Sequence, residues 1–178
     1  MWLLEHTNKR PDENIQKTID TVVEDAKDKW GLKFEGEYPT NGIGISTLRP
    51  VHVETATLPN PTRLNSWRIA IAAVQTWQDW VNVALDQNTY VINAGIFDIT
   101  PNPAMTECGF RANGQDLPVQ NIESMFAFEK PLAFWSKPFA VSPENNLTAR
   151  IYGNVAQTEL AGFLGFAVAK RLILIAES

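Results

Sequence analysis

Cysteine, histidine and glycine-rich phosphate loops are nearly missing from this chain of 178 residues. The lone cysteine, Cys108, excludes an internal disulfide and reads as a small packed residue beside a strand. The two histidines, His6 and His52, lie in different segments, and neither has a cysteine or carboxylate at metal-ligand spacing. His52 alternates with Val51 and Val53 and is expected on the polar side of a strand. No Gly-x-Ser-x-Gly elbow, Walker-type loop or dinucleotide glycine pattern occurs, so no nucleophile or nucleotide site is assigned. No apolar run approaches the ~20 residues of a membrane helix. Met1-Trp2-Leu3-Leu4 is broken by Glu5, which predicts no signal peptide and synthesis in a reducing cytoplasm. Basic excess is also lacking: the net charge of −5 argues against a nucleic-acid partner.

What the chain does have is apolar content, 44% of residues, with eleven prolines and ten glycines that punctuate it. Pro11 to Trp30 carries Ile15, Ile19, Val22, Val23, Ala26 and Trp30 at one-faced helical spacing. Pro11 suits the first helical position, Asp12 and Glu13 the first turn, Lys27 and Lys29 the last, and Gly31 a stop. Residues 31–50 read as an extended arm with a short strand around Ile43-Gly44-Ile45 and a possible tight turn at Asn41-Gly42. The expected organisation is therefore a helix and arm over 1–50 and a β-sandwich over 51–178.

From residue 51 the patterning is β. Val51 to Leu58 predicts a strand, ended by Pro59. Asn65 to Leu85 contains no glycine or proline and admits a helix, but both flanks alternate and two strands are preferred. Strands are expected at Thr89–Ile92 and Gly95–Ile99, a hairpin at Asn113-Gly114, and strand material in Met125–Phe128 and Phe134-Trp135. In Leu147 to Tyr152, alternation puts Leu147, Ala149 and Ile151 on one face and Thr148, Arg150 and Tyr152 on the other. Asn146-Leu147-Thr148 has the form of a glycosylation acceptor, read here as a turn entering that strand.

Leu160 to Ala169 is the longest apolar strand. Leu164, Phe166 and Val168 fall on one face, Phe163, Gly165, Ala167 and Ala169 on the other. Both faces need cover, from the N-terminal helix or from a neighbouring subunit, and Leu172–Ile175 extends the demand toward the end. Ile15, Ile19, Trp30, Phe163, Leu164, Phe166 and Val168 are thus the candidate subunit-interface residues.

The sequence admits two other chemistries. Asp79, Asp86, Asp98 and Glu107 could supply a carboxylate pair for glycoside hydrolysis, but acids in sandwich loops are normally solvated. No catalytic residue, metal or cofactor is assigned, and the chain is not expected to be an enzyme. Among the six tryptophans, Trp77-Gln78-Asp79-Trp80 is the one dense cluster. Trp77 and Trp80 are candidate glycan contacts, with core or subunit packing the plainer reading.

From Val81 to Ile175 the pattern resembles the jelly-roll decoration (cement) or minor capsid proteins of tailed bacteriophages. The residues that carry it are Tyr90 to Ile96, Asn113 to Val119, Pro138 to Leu147 and Gly165 to Arg171. The resemblance implies an all-β jelly-roll-type antiparallel sandwich behind an amphipathic helix and arm. It also implies a non-enzymatic virion structural protein, assembled in the host cytoplasm. Its partners would be its own copies, a trimer being favoured, and a capsid protein, with no nucleic acid and no membrane. The alternatives are a major capsid subunit of single jelly-roll type and a carbohydrate-binding β-sandwich module.

Overall fold

A computed structural model describes residues 11–53, 66–123 and 132–176; the segment Met125–Phe128 and most of the strand expected at Val51–Leu58 lie outside them. In chain order the elements are α1 (Pro11–Trp30), β1 (Phe34–Gly36), β2 (Ile43–Thr47), a 3-10 turn (Pro50–His52), β3 (Trp67–Ile71), β4 (Gln78–Ala84), β5 (Thr89–Asp98) and β6 (Met105–Ala112). They continue with β7 (Gln115–Asp116), β8 (Gln120–Asn121), β9 (Leu132–Val141), β10 (Asn146–Gly153), β11 (Gln157–Lys170) and α2 (Arg171–Ala176).

The described chain is mainly β, in two sheets with the N-terminal helix outside them. Sheet A has the order β1-β2-β11-β5-β9, and β3 pairs with β11 beyond the end of β2. Sheet B has the order β4-β10-β6-β7, with β8 also on β6. Sheet A is mixed, because β1 and β2 run parallel; this corrects the expectation of purely antiparallel pairing. The β1–β2 loop is held by Glu35, whose carboxylate accepts from the Thr40 and Asn41 N–H groups. Those two donors hold the Glu35 carboxyl below its usual range.

Local chemistry explains the main elements. α1 ends where Gly31, at φ +64°, turns its N–H back to the Lys27 carbonyl at 2.8 Å. The described part of the stretch 65–85, residues 66–85, forms two strands, β3 and β4, joined by a turn through 72–77. Asn113 (φ 50°) and Gly114 (φ 77°) supply the two left-handed residues of the β6–β7 hairpin. The Asn113 side chain then reaches across the sandwich, donating to the Ala140 carbonyl at 2.9 Å and accepting from Ser142 N–H at 3.1 Å.

Two segments depart from the sequence reading. Val51 and His52 sit in a 3-10 turn opened by Pro50, whose fixed φ favours a helical start, and His52 is buried rather than on a polar strand face. Leu172–Ile175 belongs to helix α2, not to a continued strand, with Leu174 buried and Leu172 80% exposed.

The main core lies between the sheets. Trp67, Phe110, Trp135 and Phe163 form its aromatic centre, with ring centroids 4.8 Å apart for Trp67–Phe163 and 5.7 Å for Phe110–Trp135. A second core lies outside sheet A, where Val22, Val23 and Ala26 of α1 cover Ile43, Tyr90, Ile92 and Val168. Tyr90 ties the two layers by donating its hydroxyl to Asp25 Oδ2 at 2.5 Å. Burial raises the Tyr90 phenol well above its ordinary range.

Candidate functional site

Strand β11 is covered on both faces within its own chain over most of its length. Ala161, Phe163 and Ala167 point into the main core, and Val168 is fully buried beneath α1. Of the residues selected as a subunit interface, Phe163 and Val168 therefore spend their apolar area inside the chain. Ile19 and Trp30 pack onto the sheet from α1, and Trp30 meets the Tyr90 ring edge-on at 5.4 Å. Ile15, also on α1, is half-buried. Over this part of the strand the helix thus supplies the cover, the first of the two sources that the sequence allowed.

Leu164 and Phe166 differ. Across sheet A, β11 and β9 flank β5, and the register sets its outward side chains in rows: Ala140, Ile92 and Phe166; then Phe134, Gly95 and Leu164; then Leu132, Phe97 and Gly162. The first row belongs to the cluster beneath α1. In the other two, Phe97, Phe134 and Leu164 stay half-buried and Leu132 is 38% exposed. The side chains of these two rows are aromatic and aliphatic.

The outer face of sheet B is the opposite in character. Thr148, Arg150 and Tyr152 project outward from β10 as the alternation predicts, while Leu147, Ala149 and Ile151 are buried. With neighbours on β4 and β6, Thr148 and Arg150 border a groove of about 470 Å³. Trp77 stands at one end, its ring 5.6 Å from that of Tyr152. Beside it is Gly109, where an added Cβ would lie 3.6 Å from the indole, an ordinary van der Waals contact. Arg150 Nε pairs with Asp79 Oδ1 at 3.1 Å, and Arg111 Nε with Asp116 Oδ1 at 3.7 Å.

Trp80, the other tryptophan selected for glycan contact, is not in this groove. The β4–β10 register pairs Ala149 with Val81 and Arg150 with Asp79, leaving Trp80 as the extra residue of a bulge. Its ring turns into the core, 5.6 Å from Trp67 and 4.5 Å from Phe163.

The acidic candidates do not converge. Asp79 is in the groove, Asp86 accepts from Thr89 Oγ1 in a turn, Glu107 lies on the outer face of sheet B, and Asp98 is buried at the end of β5. Asp98 lies against Glu159, a fully buried acid that sequence reasoning passed over. One oxygen of Glu159 accepts from Ala104 N–H, from Met105 N–H at 3.0 Å and from Gln157 Nε2 at 2.8 Å. Burial, with Glu159 adding to it, pushes the Asp98 carboxyl up to about 7. The available signal for Glu159 was its odd-numbered position in β11, in phase with inward Ala161 and Phe163.

His52 accepts from Arg49 N–H at Nδ1 (2.9 Å), and its Nε2 lies 3.3 Å from Ser46 Oγ. Burial, helped by nearby Arg49, lowers it to about 4, so the ring is neutral at pH 7. Cys108 is completely buried, and that burial raises its thiol far above the reactive range. Among the described residues no group of three or more His, Cys, Asp or Glu side chains could hold a metal ion. None of their helices is long and apolar enough to cross a membrane. Comparison with protein-family models, curated proteins and solved structures finds no match.

Proposed function

We propose that this chain is a non-enzymatic structural protein of a virion, a decoration (cement) or minor capsid protein of jelly-roll type. It would associate with its own copies, as a trimer, and with the capsid protein, so stabilising the shell. The observation that carries the reading is the nesting of strand pairs. β3 pairs with β11, β4 with β10, β5 with β9 and β6 with β7, all antiparallel. The first strand of this set thus meets the last, the second meets the second-last, and so inward to the Asn113-Gly114 turn. Such a doubled ribbon, wrapped so that β11 also meets β5 and β10 meets β6, supports a jelly roll. That architecture serves capsid and lectin domains.

The second support is the outward apolar end of sheet A. Phe97, Leu132, Phe134 and Leu164 form one patch with Phe166 beside it, the kind of surface that marks association. A stable contact of standard size buries about 1,600 Å² in total, and repeated contacts around a shell add avidity. The test is sedimentation of the purified chain with empty shells, beside Phe134→Glu and Leu164→Glu variants. Wild type is expected to pellet with shells and both variants to remain in solution. A wild-type chain that stays in the supernatant with every shell tried contradicts the reading.

A further inference from the structure

We infer that the groove on the outer face of sheet B is a binding site for a neutral carbohydrate chain. The inference does not rest on the assembly reading, because the groove lies on the opposite sheet from the apolar patch. Three observations carry it. The first is a ring presented beside polar groups: Trp77 flanks the groove next to Tyr152, and Leu117 adds an aliphatic wall. An indole of this kind accepts the C–H face of a pyranose, which is apolar, while leaving the sugar's rim in reach of hydrogen-bonding groups.

The second is charge. Both guanidinium groups in the groove are already matched, Arg150 by Asp79 and Arg111 by Asp116. A phosphate or sulfate would need an unmatched cation, and an amine an unmatched acid. Paired groups keep spare N–H donors and carboxylate lone pairs, and Asn82 and Thr148 add an amide and a hydroxyl. A surface that offers donors and acceptors side by side, with no net charge, suits hydroxyl groups, each of which is both. The third is shape: at about 470 Å³ the groove falls within the range of ligand sites, and it lies along an exposed sheet face that a chain can cross.

The experiment titrates the full chain with three neutral hexasaccharides, maltohexaose, cellohexaose and N-acetylchitohexaose, and with a sulfated hexasaccharide. Binding is followed by calorimetry and by the indole N–H resonances. At least one neutral oligomer should bind, shifting the Trp77 indole signal and leaving that of core-facing Trp80 in place. Trp77→Ala should weaken this binding about tenfold or more, and Asn82→Ala should weaken it with the thermal melt unchanged. Failure of all three at millimolar concentration overturns the inference. So does preference for the sulfated oligomer, or a titration that moves Trp80 and not Trp77.

Discussion

Two buried ionisable residues, Asp98 and His52, pull the pH dependence of stability in opposite directions. The Asp98 carboxyl titrates near 7 in the folded chain, above the ordinary value of 3.8. The native state therefore holds its proton more tightly than the unfolded chain does. This contribution is full below about 3.8 and is lost as pH rises through about 7. His52 titrates near 4, below its ordinary 6.5. Its contribution is full above 6.5 and is lost as pH falls through about 4. Between about 4 and 6.5 the two slopes offset each other. Urea midpoints of the wild-type chain should consequently change little across that range. Asp98→Asn should leave a profile that falls toward acid, and His52→Gln one that falls toward neutrality. At this scale the sequence was least legible. Alternation puts Trp80 on the outer face with Asn82, and only the bulge, which no local pattern announces, reverses it. Glu159 was readable from its register in β11 but was hidden by the apolar run that follows it.

At the level of elements, the pairings of β5 with β11 and with β9 each depend on a glycine that holds no turn. A Cβ on Gly165 would collide with the Ile92 carbonyl oxygen, and one on Gly95 with that of Ala133. Both residues sit where the register shifts, so backbone approaches backbone more closely than a side chain allows. Gly165→Ala should cost about 3 kcal/mol, the top of the range for overpacking, whereas Gly109→Ala on the open face of β6 should stay within about 0.5 kcal/mol. Chemical denaturation of the two variants side by side checks the contrast. Helix α1 offers another test. Tyr90→Phe removes the hydroxyl that holds Asp25 and should cost about 1 kcal/mol, with faster amide exchange in α1 than in β5. Elements with a strong period were legible: α1 from its apolar stripe and Gly31, β10 from its alternation, and the β6–β7 hairpin from Asn-Gly. The 3-10 turn at Pro50 and helix α2 were not. Val51-His52-Val53 and Leu172–Ile175 are too short for an apolar pattern to distinguish helix from strand.

For the molecule as a whole, the decisive fact is which apolar surface the chain covers for itself. The sequence shows that β11 is apolar on both faces but cannot say how far α1 reaches over it. The helix covers the rows through Tyr90, Ile92 and Val168 and leaves those through Phe134, Leu164 and Leu132 half-covered. The proposed self-association would thereby draw on one end of sheet A rather than on the whole strand. The polar groove on sheet B stays free for a ligand in such an assembly. The measurement that tests the central claim most directly is light scattering of the purified chain across a wide concentration range, beside Phe134→Glu. The account predicts a trimer for the wild type and a folded monomer for the variant. A wild-type chain that remains a monomer at every concentration would contradict it.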